Sequence, residues 1–332
     1  MKVILPDECV IFKDMKSCLR RNGTSVICSI LLFLPSFSTG NLTRNGTKDE
    51  LLKTFEPANR VSGLLRLKGV NVKGKSCEYS YELFSNSSSR QSITEVALGM
   101  PDKPGTVITP RGWVTNAEIG LFVEDNKRRA ATGLTIVSWM TLKEVDDLKP
   151  GKFLDGFKVA SEYLPGIKPF WLTGRSRKMK PLGKPTEAEK LILIECLDPY
   201  NNSYCAKTIG PDEMIGRGFN QEYYLERLVR LVNESESSGW ISSRETSGKL
   251  RKILGDAMAA IKSGNKISAC LSLTMFNMEI KNDDKENCHS IRNDAGLMLM
   301  INSEYIRWIM CPPSRSKNAW DGDYKFDIAD KQ

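Results

Sequence analysis

The chain has 332 residues, 40% apolar and 27% charged, with 48 Lys+Arg against 40 Asp+Glu and a net charge of +8. Such a chain is long enough to fold without metals or disulfides, and its composition argues against wholesale disorder. It holds one histidine, His289, so a Ser-His-Asp or Cys-His relay has no other imidazole to use.

His289 lies in the polar stretch 281–290, where a solvated loop residue is expected. The nine cysteines are Cys9, Cys18, Cys28, Cys77, Cys196, Cys205, Cys270, Cys288 and Cys311. They form no C-x-x-C, and the adjacent Cys288-His289 is a poor chelate, so no metal site is expected. Cys28, Cys196 and Cys270 sit inside apolar runs. That placement predicts buried, reduced thiols of a cytosolic or nuclear protein.

In chain order, Val26–Phe37 is an apolar run preceded by Lys13, Lys16, Arg20 and Arg21. It is too short to span a bilayer and reads as a core strand interrupted at Pro35. A secretory signal ending near Ser38-Thr39-Gly40 is the alternative. The sequons at Asn22, Asn41, Asn45, Asn86, Asn201 and Asn233 matter only on that alternative. Thr47–Glu50 is a capping box that starts a short helix ending before Pro57. Val61–Val72 and Cys77–Phe84 read as paired strands around a turn at 73–75. Glu118–Val123 and Leu134–Met140 read as a second hairpin with residues 125–129 at its tip. Phe157–Leu164 and Pro169–Leu172 read as short extended pieces. The stretch Thr173–Thr186 has five basic residues, no acid, two Gly and two Pro, the composition of a linker.

In the second half, Leu191–Leu197 reads as a buried strand and Tyr223–Val232 as helical. Gly248–Ser263 is the clearest helix. Leu250, Ile253, Leu254, Ala257, Met258 and Ile261 form one stripe, with Ser247 as N-cap and Gly264 just past the end. Ile267–Met275 alternates, then shifts phase to Phe276, Met278 and Ile280, as a long bulged strand does. Leu297–Ile301 and Tyr305–Met310 complete a sheet, and a mobile tail is expected after Pro312-Pro313. The expected fold is mainly β with a few helices (α+β), as two β-sandwich-like domains in tandem. These are residues 1–172 and a β-rich 187–311 carrying the amphipathic helix, with 173–186 as basic linker and 312–332 as tail.

The chain has no G-x-x-x-x-G-K-[ST] and no G-x-G-x-x-G. Its acidic pairs, Asp146-Asp147 and Asp283-Asp284, sit in charged loop-like stretches. Catalytic carboxylates need a buried or concave setting, so a non-enzyme without a cofactor is expected. The excess positive charge gathers in four clusters. One is Arg60, Arg66, Lys68, Lys73 and Lys75. The second is Lys127, Arg128 and Arg129. The third, in the linker, is Arg175, Arg177, Lys178, Lys180 and Lys184. The fourth is Lys249, Arg251 and Lys252 on the amphipathic helix. Such clusters suit phosphates of nucleic acid or anionic lipid headgroups. Aromatic residues for base stacking are sparse near them, Phe170-Trp171 excepted, which tilts the expectation to membrane.

The order of elements resembles that of the matrix proteins of paramyxoviruses and their relatives. Four patterns carry the resemblance. Lys48–Lys53 follows an apolar strand; Gly151–Ala160 leads to Leu164-Pro165; Leu191–Leu197 precedes Lys207–Pro211; and the basic helix of 249–264 precedes a long strand. The chain departs from the family after Pro165, where Phe170-Trp171-Leu172 stands in place of an arginine-rich strand. The resemblance implies a non-enzymatic viral assembly and budding protein of the virion. It would bind anionic lipid headgroups on the inner face of the host membrane, contact nucleocapsid or RNA, and self-associate as a homodimer or larger assembly. Host cytoplasm and nucleus are its expected locations. The alternatives are a viral RNA-binding protein of movement or nucleocapsid-associated type, and an enzyme using Asp146, Asp147 or Glu195.

Overall fold

Period-2 alternation of apolar residues builds the first half. The computed structural model describes residues 59–73, 76–119, 123–175, 187, 191, 203–215, 220–285, 289–311 and 323–327. Strand β1 (Gly63–Lys73) pairs antiparallel with β2 (Ser76–Ser85). β1 buries Leu65 and Leu67, then Val70 and Val72. The change of phase falls at a register shift between Leu67 and Gly69, where a bulge lets both pairs face inward. β2 buries Cys77, Tyr79, Tyr81 and Leu83. The other strands are β3 (Ile93–Met100), β4 (Thr106–Ile108), β5 (Trp113–Thr115), β6 (Thr135–Thr141), β7 (Phe153–Ser161), β8 (Tyr163–Gly174), β9 (Tyr204–Met214) and β10 (Asp323–Asp327).

They form two antiparallel five-stranded sheets, in the orders β10-β1-β2-β7-β4 and β5-β6-β3-β8-β9. The sheets stack through large buried side chains. Phe157 of the first meets Trp113 and Trp139 of the second edge-on, at centroid distances of 5.4 and 5.6 Å. Full burial of one such side chain contributes about 1.5–3 kcal/mol. Two hydroxyls stitch the layers: Tyr79 Oη donates to the Tyr163 carbonyl and Thr208 Oγ1 to that of Leu65. β9 lies on the far side of the basic 173–186 stretch and returns to the sheet beside β8.

Beside the strands stand a 3-10 turn (Glu144–Asp146) and six α-helices: α1 (Asn116–Ile119), α2 (Val123–Thr132), α3 (Gln221–Ser237), α4 (Arg244–Lys262), α5 (Lys266–Lys285) and α6 (Asn293–Met310). The last four form a ring in which α3 and α5 each touch both α4 and α6, and α3 and α6 also lie on the strands. The α+β class expected from the sequence is borne out by these sheets and helices.

Several expected elements differ. The second hairpin is a helix followed by β6. Thr115 Oγ1 accepts from the Glu118 N–H at 3.2 Å, and Glu118 Oε2 accepts from the Thr115 N–H at 2.6 Å. This reciprocal box starts a helical turn where a strand is expected. The β-rich 187–311 is, over its described residues, mostly helical. Ile267–Ile280 belongs to α5, and Leu297–Met310 to α6. α5 buries Ala269, Cys270, Leu273, Phe276 and Ile280 at helical spacing, while apolar side chains on its other face imitate strand alternation. α6 is buried almost all round, so its periodicity vanishes.

The helix α4 starts one turn earlier than expected, with Ser243 as N-cap accepting from the Thr246 N–H. Ser247 lies inside it, buried. Gly264 terminates it with φ +76°, as a C′ glycine does. Leu191, expected in a strand, is helical and exposed. Val26–Phe37, the helix after Thr47, Lys75, Arg177, Lys178, Lys180, Lys184, 192–197, 312–322 and 328–332 lie outside the described residues; within the expected mobile tail, Asp323–Asp327 is instead a strand held by its backbone pairing with β1.

Candidate anion-binding surface

Six of the basic residues singled out in the sequence meet acids in the fold. Arg66 pairs with Glu82 at 2.5 Å and lies over the Phe84 ring. Lys68 pairs with Asp155 at 2.5 Å, and Lys158 with Glu78 at 3.0 Å. Together they make a ladder of alternating charge on the outer side of β1, β2 and β7. Exposed pairs of this kind contribute at most about 1 kcal/mol each, but they cancel the positive field. Lys73 ends β1.

Arg128 is not at a hairpin tip. It lies on α2, fully buried, 2.8 Å from Glu95 and over the Trp171 ring. Burial pushes the Glu95 carboxyl up, but Arg128, Thr173 and Ser138 together hold it below its ordinary value. Lys127 is half-buried and Arg129 exposed on the same helix. Arg175 grips Asp147 with two bonds of 2.5 and 2.7 Å. Lys249 lies 3.2 Å from Glu245 and 3.9 Å from Glu279, and Arg251 lies 2.5 Å from Glu236. Lys252 is exposed. The described members of the four clusters are therefore spread over separate elements, and six of them are met by acids within the chain.

The topology gathers a different set. Segments 59–62, 85–92 and 149–153 meet at one end of the sandwich, and none contains an acid. The Arg90 N–H donates to the Arg60 carbonyl at 2.9 Å, and the Asn86 N–H to that of Ser62 at 2.9 Å. The Ser85 N–H donates to the Lys152 carbonyl, and the Gly151 N–H back to Ser85, both at 2.9 Å. Gly151 holds φ +74° in this turn, a conformation that glycine adopts without strain.

The gathered side chains Arg60, Arg90, Lys149 and Lys152 are all exposed. Phe153 is 61% exposed and stacks on Phe84 at 5.7 Å. The basic 173–186 stretch begins at this end, since the Arg175 N–H donates to the Ser92 carbonyl. Sequence reading grouped Arg60 with β1 and passed over the other three, which are separated by tens of residues. The usable signal is that each segment lacks acids while carrying a base together with Ser or Gly.

One carboxylate of each acidic pair, Asp147 and Asp283, has structural partners. Asp147 binds Arg175. The main-chain oxygen of Asp146 accepts from Trp113 Nε1. Asp283 accepts from Ser290 Oγ and from the Ile291 N–H. His289 is exposed with φ +43°. Among the described residues no group of His, Cys, Asp and Glu is placed to hold a metal ion. Burial pushes the Cys77 thiol up to about 12, which leaves it unreactive. Cys270 is not a free thiol as expected; it is bonded to Cys311, and such bonds persist in oxidising compartments.

No family model and no curated protein matches the chain. One similar solved structure is an uncharacterized protein from Nocardia farcinica, described as having an immunoglobulin-like fold. It is 14% identical, with a TM-score of 0.22, and the match covers 45% of this chain and 96% of that one. Among the described residues no helix is long and apolar enough to cross a membrane.

Proposed function

We propose that this chain is a non-enzymatic assembly protein that docks on anionic lipid headgroups through the end of its sandwich. The observation that carries the reading is the end where three acid-free segments meet and expose Arg60, Arg90, Lys149, Lys152 and Phe153; Asp147, which adjoins it, is taken up by Arg175. A basic residue beside an anionic membrane contributes about 1 kcal/mol. Four of them supply about 4 kcal/mol, which corresponds to roughly millimolar affinity for one copy. Useful binding then needs several copies acting together. This keeps the anionic docking and self-association that the matrix resemblance implies. The location shifts, however. The Cys270–Cys311 bond favours a membrane face in an oxidising compartment over the cytoplasmic leaflet.

Flotation with liposomes tests the reading. Binding to phosphatidylserine vesicles that weakens as salt rises, with none to neutral vesicles, is the expected result. Equal binding to both, or to neither, contradicts it. The exposed ring of Phe153 also suits base stacking. A steep salt slope on single-stranded RNA without lipid preference would favour the RNA-binding alternative.

A further inference from the structure

Two sequons, Asn86-Ser-Ser88 and Asn233-Glu-Ser235, lie whole among the described residues. The pattern accepts N-linked sugar only in a chain that enters the secretory lumen. The fold gives this chain a lumenal feature: Cys270 and Cys311 are bonded, and such bonds persist in oxidising compartments. Cys77 is compatible with that setting, since burial pushes its thiol up to about 12 and keeps it from reacting. The apolar run 26–37 has the length of a signal's hydrophobic region.

The two sequons differ in what they offer. A transferring enzyme must reach the asparagine amide and the hydroxyl two residues on. Asn233 lies on α3, its Oδ1 accepts from Arg251 Nη1 at 3.1 Å, and Ser235 is fully buried. Asn86 opens a turn between β2 and β3, its carbonyl accepting from the Ser89 N–H at 3.0 Å. Asn86, Ser87 and Ser88 are all exposed. Asn86 Nδ2 donates to Ser62 Oγ at 3.2 Å. An amide nitrogen carries two hydrogens, so one is left to be replaced.

We propose that Asn86 is an N-glycosylation site and that the sugar on it governs access to the basic sandwich end. The donor is a lipid diphosphate-linked oligosaccharide of the secretory lumen. A bond forms between Asn86 Nδ2 and C1 of the first sugar while the C1–O bond to the diphosphate breaks. The lipid diphosphate leaves with the electron pair, and the amide gives up one proton. The turn sits amid the bases of that end. The Arg90 N–H, just past the turn, donates to the Arg60 carbonyl at 2.9 Å. On the other side, a Cβ on Gly151 would stand 3.6 Å from Ser87 Cβ, in the turn that carries Lys149 and Lys152. A bulky, hydrated sugar there holds a bilayer away from all four bases. The modified chain therefore stays off anionic lipid, and the unmodified chain docks. This gating rests on the docking reading; the modification itself does not.

The full chain made in secreting eukaryotic cells tests the proposal, by gel mobility with and without an N-glycosidase and by mass of the peptide that holds residue 86. Wild type carries sugar at residue 86, and Asn86→Gln loses one glycan step. Ser88→Ala, which keeps the amide and removes only the hydroxyl, gives the same loss even if Asn86→Gln fails to fold. On phosphatidylserine vesicles the sugar-bearing chain stays in solution, whereas the Asn86→Gln chain floats. A wild-type chain without sugar at residue 86, including one that stays out of the lumen, overturns the proposal. Sugar at residue 86 on a chain that floats as well as Asn86→Gln overturns the gating. Failure of the sugar-free chain made in bacteria to float contradicts the docking reading and the gating with it, but not the modification.

Discussion

Arg227 ties the helices to the sheets. Its guanidinium is buried and donates to Asp212 Oδ2 at 2.7 Å, to the Pro165 carbonyl at 3.1 Å and to Asn302 Oδ1. Asn302 Nδ2 donates to the same Pro165 carbonyl at 2.9 Å and to that of Met298 at 2.8 Å. Arg227→Met leaves Asp212 and Asn302 short of a partner. It is expected to cost about 3–5 kcal/mol, as breaking a buried pair does, read from denaturant unfolding. Burial pushes the Asp212 carboxyl up, but Arg227 and Lys168 hold it below its ordinary value; Glu95 behaves likewise. The unfolded chain then binds more protons than the folded one, so stability is present above the ordinary carboxylate pKa of about 4 and is lost as pH falls below it. The thermal midpoint should drop between pH 5 and pH 3, and less so in Asp212→Asn. None of these partners is legible in the sequence. Arg128 shows why: between Lys127 and Arg129 it has the look of a surface charge, and only the approach of β3, thirty-odd residues earlier, buries it against Glu95.

Elements built on a single periodicity could be read from the sequence. β1 and β2 alternate around a turn, and α4 has one stripe and a glycine stop. Elements with two apolar faces could not, because a helix exposed to apolar contact on one side and core on the other mimics a bulged strand, as α5 does. The start of α4 discriminates sharply between the two candidate caps. Ser243→Ala should cost about 1 kcal/mol, measured by denaturant unfolding. Ser247→Ala, inside the helix, tests the competing assignment and should not show a cap's loss. The Cys270–Cys311 bond closes a loop across 41 residues between α5 and the end of α6. Reducing it, or replacing Cys311 with Ser, should cost about 2–4 kcal/mol, seen as a lower midpoint with reductant. No sequence pattern selects this pair among nine cysteines.

At the scale of the molecule, the end of the sandwich gathers exposed bases from three acid-free segments. It offers weak attraction to anions, which several copies acting together make effective. Charge clusters in the sequence did not locate this end, because strand pairing sets acids beside Arg66 and Lys68 and leaves acid-free loops to meet elsewhere. The decisive measurement compares two charge reversals by flotation on phosphatidylserine vesicles at one salt concentration. Arg60→Glu with Arg90→Glu and Lys152→Glu should abolish binding, whereas Arg66→Glu with Lys68→Glu, which reverses residues already paired on the sheet face, should leave most of it. Loss of binding in the second variant with retention in the first would contradict docking through the sandwich end.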